Sequence, residues 1–426
     1  MKILKYLLLF LDLIFFFFQR RNFKAIRNVD FLFLQHRVNY SYFHEGKIYA
    51  PLLYSVYYFL TKLQKTRVAF LNKPFSKIKK QHSYYESIST DSYFLFESLS
   101  NFLVKKILGE IKAKEIRDFR RFYIWNKILR LINPKIIIAI LPETQLCRAA
   151  KKEKIRVYEL QHGVISKSHK WYGQDMPNII SDEELPHGFL FWDNASAESI
   201  SFWTEKRGVE SHIIGHVWVN RFRNIDNTDK VINQAILALD YIDRKKPVIL
   251  ISLQWGLNRY YPDASFNNIM CEALEKVILQ TATQYQWLLR LHPVQMQSKN
   301  SKKTLKYLQD KFGKLPNIEW ENSSKVALPA LLTKVDLHIT DMSTTVTEAM
   351  WFNIPSAILN PLVNEGEKLQ YLFEYERRLK IAKIVEQDEE SIILWIRESL
   401  RNNEVDGLVN TLEPNLNFLL NYINIQ

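Results

Sequence analysis

Residues Val335–Leu359 read VDLHITDMSTTVTEAMWFNIPSAIL, and their pattern decides the fold. Val335–Ile339 reads as a strand. A polar turn rich in hydroxyls follows at Thr340–Thr345, then a helix over Val346–Phe352 and a second strand over Ser356–Leu359. Such a helix start leaves backbone N–H groups unpaired and carries a partial positive charge, so it can hold an anion such as a phosphate. Glu348 stands three residues after Thr345, the spacing of a capping box. A well-capped helix in an α/β domain has the same appearance, so this stretch fixes the fold class before it fixes a site.

The same strand–turn–helix rhythm extends outward in both directions. Strands are predicted at Phe31–Leu34, Arg67–Leu71, Lys135–Ile140, Arg156–Leu160, Gly188–Trp192, His212–Ile214, Val248–Leu253, Trp287–Arg290, Ile318–Trp320 and Ala382–Ile384. Between them lie helices over Tyr49–Leu63, Asp91–Leu108, Glu115–Leu131, Gln145–Glu153, Ala195–Arg207, Asn268–Tyr285, Lys302–Phe312 and Lys325–Thr333. KIIIAI at Lys135–Ile140 is apolar without alternation, the mark of a parallel strand covered on both faces. Alternating strands and helices predict a doubly wound α/β sheet. With 426 residues the chain exceeds one ordinary core, and the polar break Asn224–Lys230 precedes a fresh strand. Three parts are therefore expected: an apolar helix over 1–24, a Rossmann-like domain over 25–225 and a second one over 226–426.

Composition narrows the partners. The hydrophobic fraction is 47%, which predicts a folded chain. The two cysteines, Cys147 and Cys271, match no disulfide or zinc spacing, and no metal or other cofactor is expected. A net charge of +13 favours anionic partners. The basic residues are dispersed as pairs such as Lys105-Lys106 and Arg120-Arg121, with no nucleic-acid signature, so no nucleic acid is expected. The first segment, MKILKYLLLFLDLIFFFFQRR, falls short of a spanning helix and is interrupted by Asp12. It is either an interfacial helix on the inner leaflet, with Lys2, Lys5, Arg20, Arg21 and Lys24 at the headgroups, or a buried leading helix. The first reading predicts a cytoplasmic protein, peripheral on the inner face of the cytoplasmic membrane.

Ligands of doubly wound sheets bind beyond the carboxyl ends of the strands. Gln161-His162-Gly163 follows Arg156–Leu160, and His162 is suited to proton transfer, or else bonds a turn. Its glycine would allow close backbone approach. The crowd Lys167, His169, Lys170, Trp171 and Tyr172 follows. Glu143, after Lys135–Ile140, is a general base or an acidic first-turn residue. Ser252 and Gln254 end one strand of the second domain. Arg290 and His292, with Pro293 fixing the turn, end another and can meet phosphate. Asp341, Ser343, Thr344, Thr345 and Glu348 follow the third. Together these ends would form a pocket for a nucleotide, with Glu348 on the ribose hydroxyls. Neither a dinucleotide fingerprint nor a P-loop is present.

The ordered set QHG, R-x-HP and TD-x-S-[ST]-x-x-x-EA, spread over Lys135–Pro361, resembles bacterial glycosyltransferases of the two-Rossmann GT-B type. It is most similar to the capsule and surface-polysaccharide group: polysialyltransferases, Kdo transferases and CDP-glycerol glycerophosphotransferases. The resemblance implies two domains facing each other across a cleft. It implies a metal-independent transferase that moves a sugar from a nucleotide-sugar donor to a glycan or lipid-linked acceptor in capsule or lipopolysaccharide (O-antigen) synthesis. It assigns Arg290, His292, Ser343, Thr344 and Thr345 to donor binding, and Glu348 to the ribose or sugar. His162 matches the proposed base of the glycerophosphotransferases, although Leu160-Gln161 stand where they carry a tryptophan; Glu143 is the alternative. A CDP-polyol phosphotransferase and a nucleotide-sugar 2-epimerase on the same fold are the competing activities.

Overall fold

The computed structural model describes residues 2–19, 23, 26–39, 42–76, 83–167, 169–257, 269–292, 295–296, 301–401 and 413–425. The chain forms two compact units, Met1–Val217 with Leu412–Gln426, and Trp218–Thr411. The boundary thus falls at Val217/Trp218 rather than at 225, and the last helix, Asn417–Ile425, belongs to the first unit. There Phe418 stacks on His212 with centroids 3.8 Å apart, and Lys135 Nζ donates to the Ile423 carbonyl at 2.9 Å.

The first unit holds strands β1 (Phe31–Gln35), β2 (Tyr42–His44), β3 (Lys47–Tyr49), β4 (Val68–Asn72), β5 (Ile88–Ser89), β6 (Ile136–Ala139), β7 (Arg156–Leu160), β8 (Gly188–Phe191) and β9 (Glu210–Ile213). Seven of them make one parallel sheet in the order β5-β4-β1-β6-β7-β8-β9. The strand period of two gives each face its own partners. Leu32, Leu34, Ile137, Ala139 and Val157 pack on Ile124, Ile128 and Leu129 of the helix Glu110–Ile132 and on Cys147 and Ala150 of Thr144–Lys152. Phe33 and Phe70 face the other way and stack against each other at 5.1 Å, with Tyr54 and Tyr57 of the helix Pro51–Leu63 packed on them. The helix predicted from Tyr49 starts at Pro51, because Tyr49 ends a hairpin, β2–β3. Its two-residue loop puts Glu45 and Gly46 at φ 50° and 72°, the left-handed pair that suits the twist of adjoining strands.

The second unit contributes β10 (Val248–Ser252), β11 (Gln286–Arg290), β12 (Ile318–Glu319), β13 (Leu337–Thr340), β14 (Ser356–Ile358) and β15 (Ala382–Ile384). All are parallel, in the order β12-β11-β10-β13-β14-β15. Ile249, Ile251, Trp287, Leu289, Leu337 and Ile339 face a core built with Leu274, Val277, Leu308 and Trp395. The single helix predicted over Lys325–Thr333 is two, Glu321–Lys325 and Leu328–Leu332, because Pro329 supplies no N–H inside a continuous helix and suits a first turn instead. The start of the helix predicted from Asn268 lies outside the described residues; its described part is Glu272–Thr281.

Both sheets grow from their first strand in one direction and then reverse. The reversals lie between β1 and β6 and between β10 and β13. These are the topological switch points of a Rossmann-like sheet, where the carboxyl ends of the strands leave a crevice. Two doubly wound Rossmann-like domains are therefore present as the sequence predicts.

The first helix, Lys2–Gln19, packs on the helices Asp91–Leu108 and Glu110–Ile132 through Leu8, Val104, Ala113 and Ile116. Asp12 is no mere interruption: both its carboxylate oxygens accept from Arg120, at 2.6 and 2.8 Å, with both side chains fully buried. Among the described residues no helix is long and apolar enough to cross a membrane. Arg20, Arg21 and Lys24 lie outside the described residues.

Candidate functional site

At the switch point of the second unit, strand register sets Ser252, Arg290 and Thr340 side by side at the carboxyl edge. The Thr340 hydroxyl donates to the Ser252 carbonyl at 2.9 Å and accepts from the Ser343 N–H at 3.2 Å. The turn out of β13 is thereby fastened to β10. The helix that follows runs Thr345–Trp351, one residue earlier than predicted. Its capping differs too. Thr344, at the N-cap, makes no side-chain cap bond; the Ser343 hydroxyl accepts from the Thr345 N–H at 3.3 Å and bonds the Thr345 hydroxyl at 3.0 Å. Glu348 closes no capping box. It lies instead near Arg290, and burial raises its carboxyl to about 7 against the pull of that guanidinium. Thr344 is exposed.

Arg290 is only partly free for a ligand. Its Nη1 donates to the Val326 carbonyl at 2.9 Å and to the Ser323 carbonyl, so it satisfies carbonyls at the end of the helix Glu321–Lys325. Burial lowers its pKa to about 10, which leaves it charged at neutral pH. Ser252 is committed differently: its hydroxyl is 3.0 Å from His338 Nε2, while His338 Nδ1 meets the Ser356 hydroxyl at 3.0 Å. Burial takes His338 to about 3, so it is a neutral bridge across β10, β13 and β14. Ser252 therefore supports the site from within the sheet, with 6% of its surface exposed. His338 is missed by motif reading; its signal is a histidine between Leu337 and Ile339 in a buried strand.

Gln254 follows β10, and its carbonyl accepts from Gln295 Nε2 at 2.9 Å. The other end of the Gln295 amide accepts from the His292 N–H at 2.7 Å, so Gln295 ties the loop after β10 to that after β11. The Trp255 ring lies 6.4 Å from His292, whose pKa is lowered by burial. Pro293 lies outside the described residues. Gln254, Arg290, His292, Ser343, Thr345 and Glu348 thus belong to one strand-end edge, with fixed charge from Arg290.

In the first unit the switch point carries other chemistry. Glu143 stands at the N-cap of Thr144–Lys152 without capping it; its Oε2 accepts from Arg121 Nη1 and Trp125 Nε1, each at 3.1 Å. A carboxylate held by a cation and an indole is a structural anion first. His162, half-buried after β7, is pushed down to about 4 by burial and by His169, so its imidazole is neutral at pH 7. Gln161 anchors its turn: it accepts from the Trp192 N–H at 2.8 Å and donates to Ser196 Oγ at 2.9 Å. Gly163 is not forced by crowding, since a Cβ there would meet open space. Close approach occurs at Gly173 instead, where a Cβ would lie 1.9 Å from the Lys167 carbonyl oxygen. That glycine lets the π-turn Lys170–Asp175 pack down, and His169 Nδ1 caps the turn by accepting from the Trp171 and Tyr172 N–H groups. Lys73, at the end of β4, donates to the Leu141 carbonyl at 2.9 Å, and His36 beside it is lowered to about 4. Among the described residues no group of three or more His, Cys, Asp or Glu is placed to hold a metal ion.

No protein-family model matches this chain, and no curated protein does. Solved structures do. The chain is similar to UDP-GlcNAc 2-epimerase from Neisseria meningitidis bound to UDP-GlcNAc, with a TM-score of 0.54 at 14% identity, over 93% of this chain and 97% of that one. The UDP-GlcNAc 2-epimerase of Methanocaldococcus jannaschii gives 0.55 at 12% identity, over 93% and 98%. A structure of the wall teichoic acid polymerase TagF soaked with CDPG gives 0.52 at 11%, over 100% and 99%. Likeness at such identities establishes the fold, the two-Rossmann GT-B type shared by these enzymes.

Proposed function

We propose that this protein is a glycosyltransferase that moves a sugar from a nucleotide-sugar donor to a glycan or lipid-linked acceptor in cell-surface polysaccharide synthesis. The observation that supports it most is the strand-end edge of the second unit, where Arg290, His292, the Ser343–Thr345 turn and Glu348 follow adjacent strands at a switch point. In this reading the edge binds the donor nucleotide. Arg290 and His292 meet phosphate oxygens, Ser343, Thr344 and Thr345 offer hydroxyl donors while the Ser343 and Thr345 amides hold the turn itself, Gln254 lies alongside, and Glu348 takes the ribose hydroxyls. Ser252 supports the edge through His338.

His162 is the base. The acceptor hydroxyl gives its proton to His162 as its oxygen attacks the anomeric carbon. The bond from that carbon to the nucleotide phosphate breaks, and the phosphate leaves with the electron pair, its charge met by Arg290 and the Ser343–Thr345 donors. We assign the leaving-group charge to these protein groups and include no metal ion in the reaction. Glu143, engaged with Arg121 and Trp125, is the weaker candidate.

We further propose that the enzyme works as a peripheral protein on an anionic inner-leaflet surface. Ile3, Leu7, Phe10 and Ile14 form one exposed stripe at helical spacing, and Leu95, Leu99, Phe102 and Leu103 form another, flanked by exposed Lys105, Lys106, Lys112 and Lys114.

A thermal-shift panel of CMP, UDP, GDP, CDP and dTDP tests the donor site. One nucleotide should raise the melting temperature, and Arg290→Ala should abolish the shift. His162→Ala should keep the shift and lose transfer. Failure of every nucleotide to bind sinks the proposal. Epimerised UDP-sugar formed without acceptor would make the protein an epimerase, and consumption of a CDP-polyol would make it a polyol-phosphate transferase.

A further inference from the structure

Glu159 lies inside β7, two residues before the strand's end turns into Gln161-His162. A carboxylate in an apolar strand needs a reason, and this one is 1% exposed. Its Oε1 accepts from the Tyr172 hydroxyl at 2.7 Å. Its Oε2 is buried with no hydrogen-bond partner. The same Tyr172 oxygen lies 3.4 Å from His162 Nδ1. Three groups therefore form a line from the sheet interior to the strand end, and Gly173 allows the turn that carries Tyr172 into it.

The phenol has one proton. With Glu159 ionised, that proton goes to the carboxylate, so the phenol oxygen can only accept from His162 Nδ1–H. Nδ1 then holds the imidazole proton and Nε2 keeps a lone pair. We propose that Glu159 and Tyr172 are positioning residues that fix His162 in its Nδ1–H tautomer and relay the acceptor's proton inward to the Glu159 carboxylate. This rests on the reading of His162 as the transferase base.

The step balances. The acceptor O–H proton moves to Nε2 as the oxygen bonds to the anomeric carbon. The Nδ1 proton passes to the Tyr172 oxygen, and the Tyr172 proton to Glu159 Oε1. His162 and Tyr172 end neutral, Glu159 ends as the acid, and the electron pair leaves with the nucleotide phosphate. Afterwards the proton returns outward by the same line. Burial raises the Glu159 carboxyl to about 7, against the Tyr172 hydrogen bond and the Lys73 charge, which makes it an effective proton acceptor at neutral pH. Cys147 also faces Glu159, and its thiol is pushed far up by burial and by that carboxylate, so it stays protonated. His169 and His36 are the other titratable groups beside His162, both lowered by burial. The relay therefore switches on with Glu159, and turnover should rise as pH climbs through about 7.

The test needs two variants that preserve shape. Glu159→Gln still accepts the Tyr172 hydrogen bond but takes no proton. Tyr172→Phe keeps the ring and removes the link. Nitrogen-15 spectra of the imidazoles in the full chain, with His162 assigned by loss of its signal in His162→Ala, read the tautomer without any substrate. Above neutral pH the wild type and Glu159→Gln should show Nδ1–H, and Tyr172→Phe should shift to Nε2–H. With a donor found in the nucleotide panel, Glu159→Gln should lower kcat about a hundredfold at unchanged KM and erase the rise around neutral pH. An Nε2–H tautomer in the wild type overturns the proposal. So does a Glu159→Gln variant with wild-type kcat and pH profile where His162→Ala is inactive. If the wild type transfers no sugar yet has the tautomer, lost in Tyr172→Phe, the transferase reading fails and the positioning roles stand.

Discussion

A single side chain, Glu348, couples the stability of the second unit to pH. Its carboxyl ordinarily titrates near 4.5 and is raised to about 7 in the fold, with desolvation outweighing the nearby Arg290. Folding therefore favours its protonated form. The associated stability is fully present below about 4.5 and is lost as pH rises through about 7. Allowing for the solvent that still reaches a half-buried group, the loss is on the order of 2 kcal/mol. Glu348→Gln should remove that share, so that in ligand-free melts the variant gains on wild type as pH rises from acid to neutral, while the slopes from His338 and Glu159 are common to both chains. If Glu348 also holds the ribose, the same variant should bind nucleotide more weakly despite its better melt at neutral pH. Equal nucleotide affinity would remove the ribose role. His338 obeys a different logic, being neutral and shared by two serine hydroxyls. His338→Leu should cost about 3 kcal/mol in denaturant unfolding, since it leaves the Ser252 and Ser356 hydroxyls without that partner.

At the scale of elements, the first helix is fastened to the protein by its apolar contacts and by the buried Asp12–Arg120 ion pair. Removing only Asp12 leaves the buried Arg120 without its bidentate partner, with only the Ser100 hydroxyl at 2.8 Å and the nearby Glu97 to answer its charge, so Asp12→Ala should destabilise the first unit by about 3 kcal/mol. Asp12→Leu combined with Arg120→Met should recover much of that loss, and chemical denaturation of wild type, Asp12→Leu, Arg120→Met and the combined variant forms a double-mutant cycle. The outer stripe answers a separate question: Leu99→Glu with Phe102→Glu should reduce sedimentation with anionic vesicles and leave the melt unchanged, because both side chains are more than half exposed. This helix also shows what was legible in the sequence. Apolar runs such as Ile136–Ala139 and Val248–Ser252 announce buried parallel strands, because period and apolarity are local properties. Whether Asp12 breaks a membrane helix or pairs inside the protein depends on Arg120, far away in the chain. The site divides in the same way. Arg290, His292 and Ser343 are visible because strand ends are visible. The loss of the Ser252 hydroxyl to His338, of Glu143 to Arg121 and Trp125, and the line from Glu159 to His162 are not, because each joins strands or helices distant in sequence.

On the scale of the whole molecule, two units with separate sheets and cores make a nucleotide's effect local before it is global. A ligand that binds only the folded second unit stabilises that unit by RT ln(1 + [L]/Kd), about 2.7 kcal/mol at a hundredfold excess over Kd. Hydrogen exchange reads where that energy is felt. With the nucleotide chosen by the panel, exchange should slow at 252–256, 290–292 and 341–348, the ends of β10, β11 and β13 and the turn beyond. Exchange in β6 and β7 of the first unit should be unchanged by nucleotide alone, because the second unit's sheet shares no strand with theirs. Arg290→Ala should lose the protection at all three segments together, since the Thr340 and Gln295 hydrogen bonds tie them into one edge. Protection centred on 159–172 instead would move the nucleotide to the first unit and reverse the assignment of donor and acceptor.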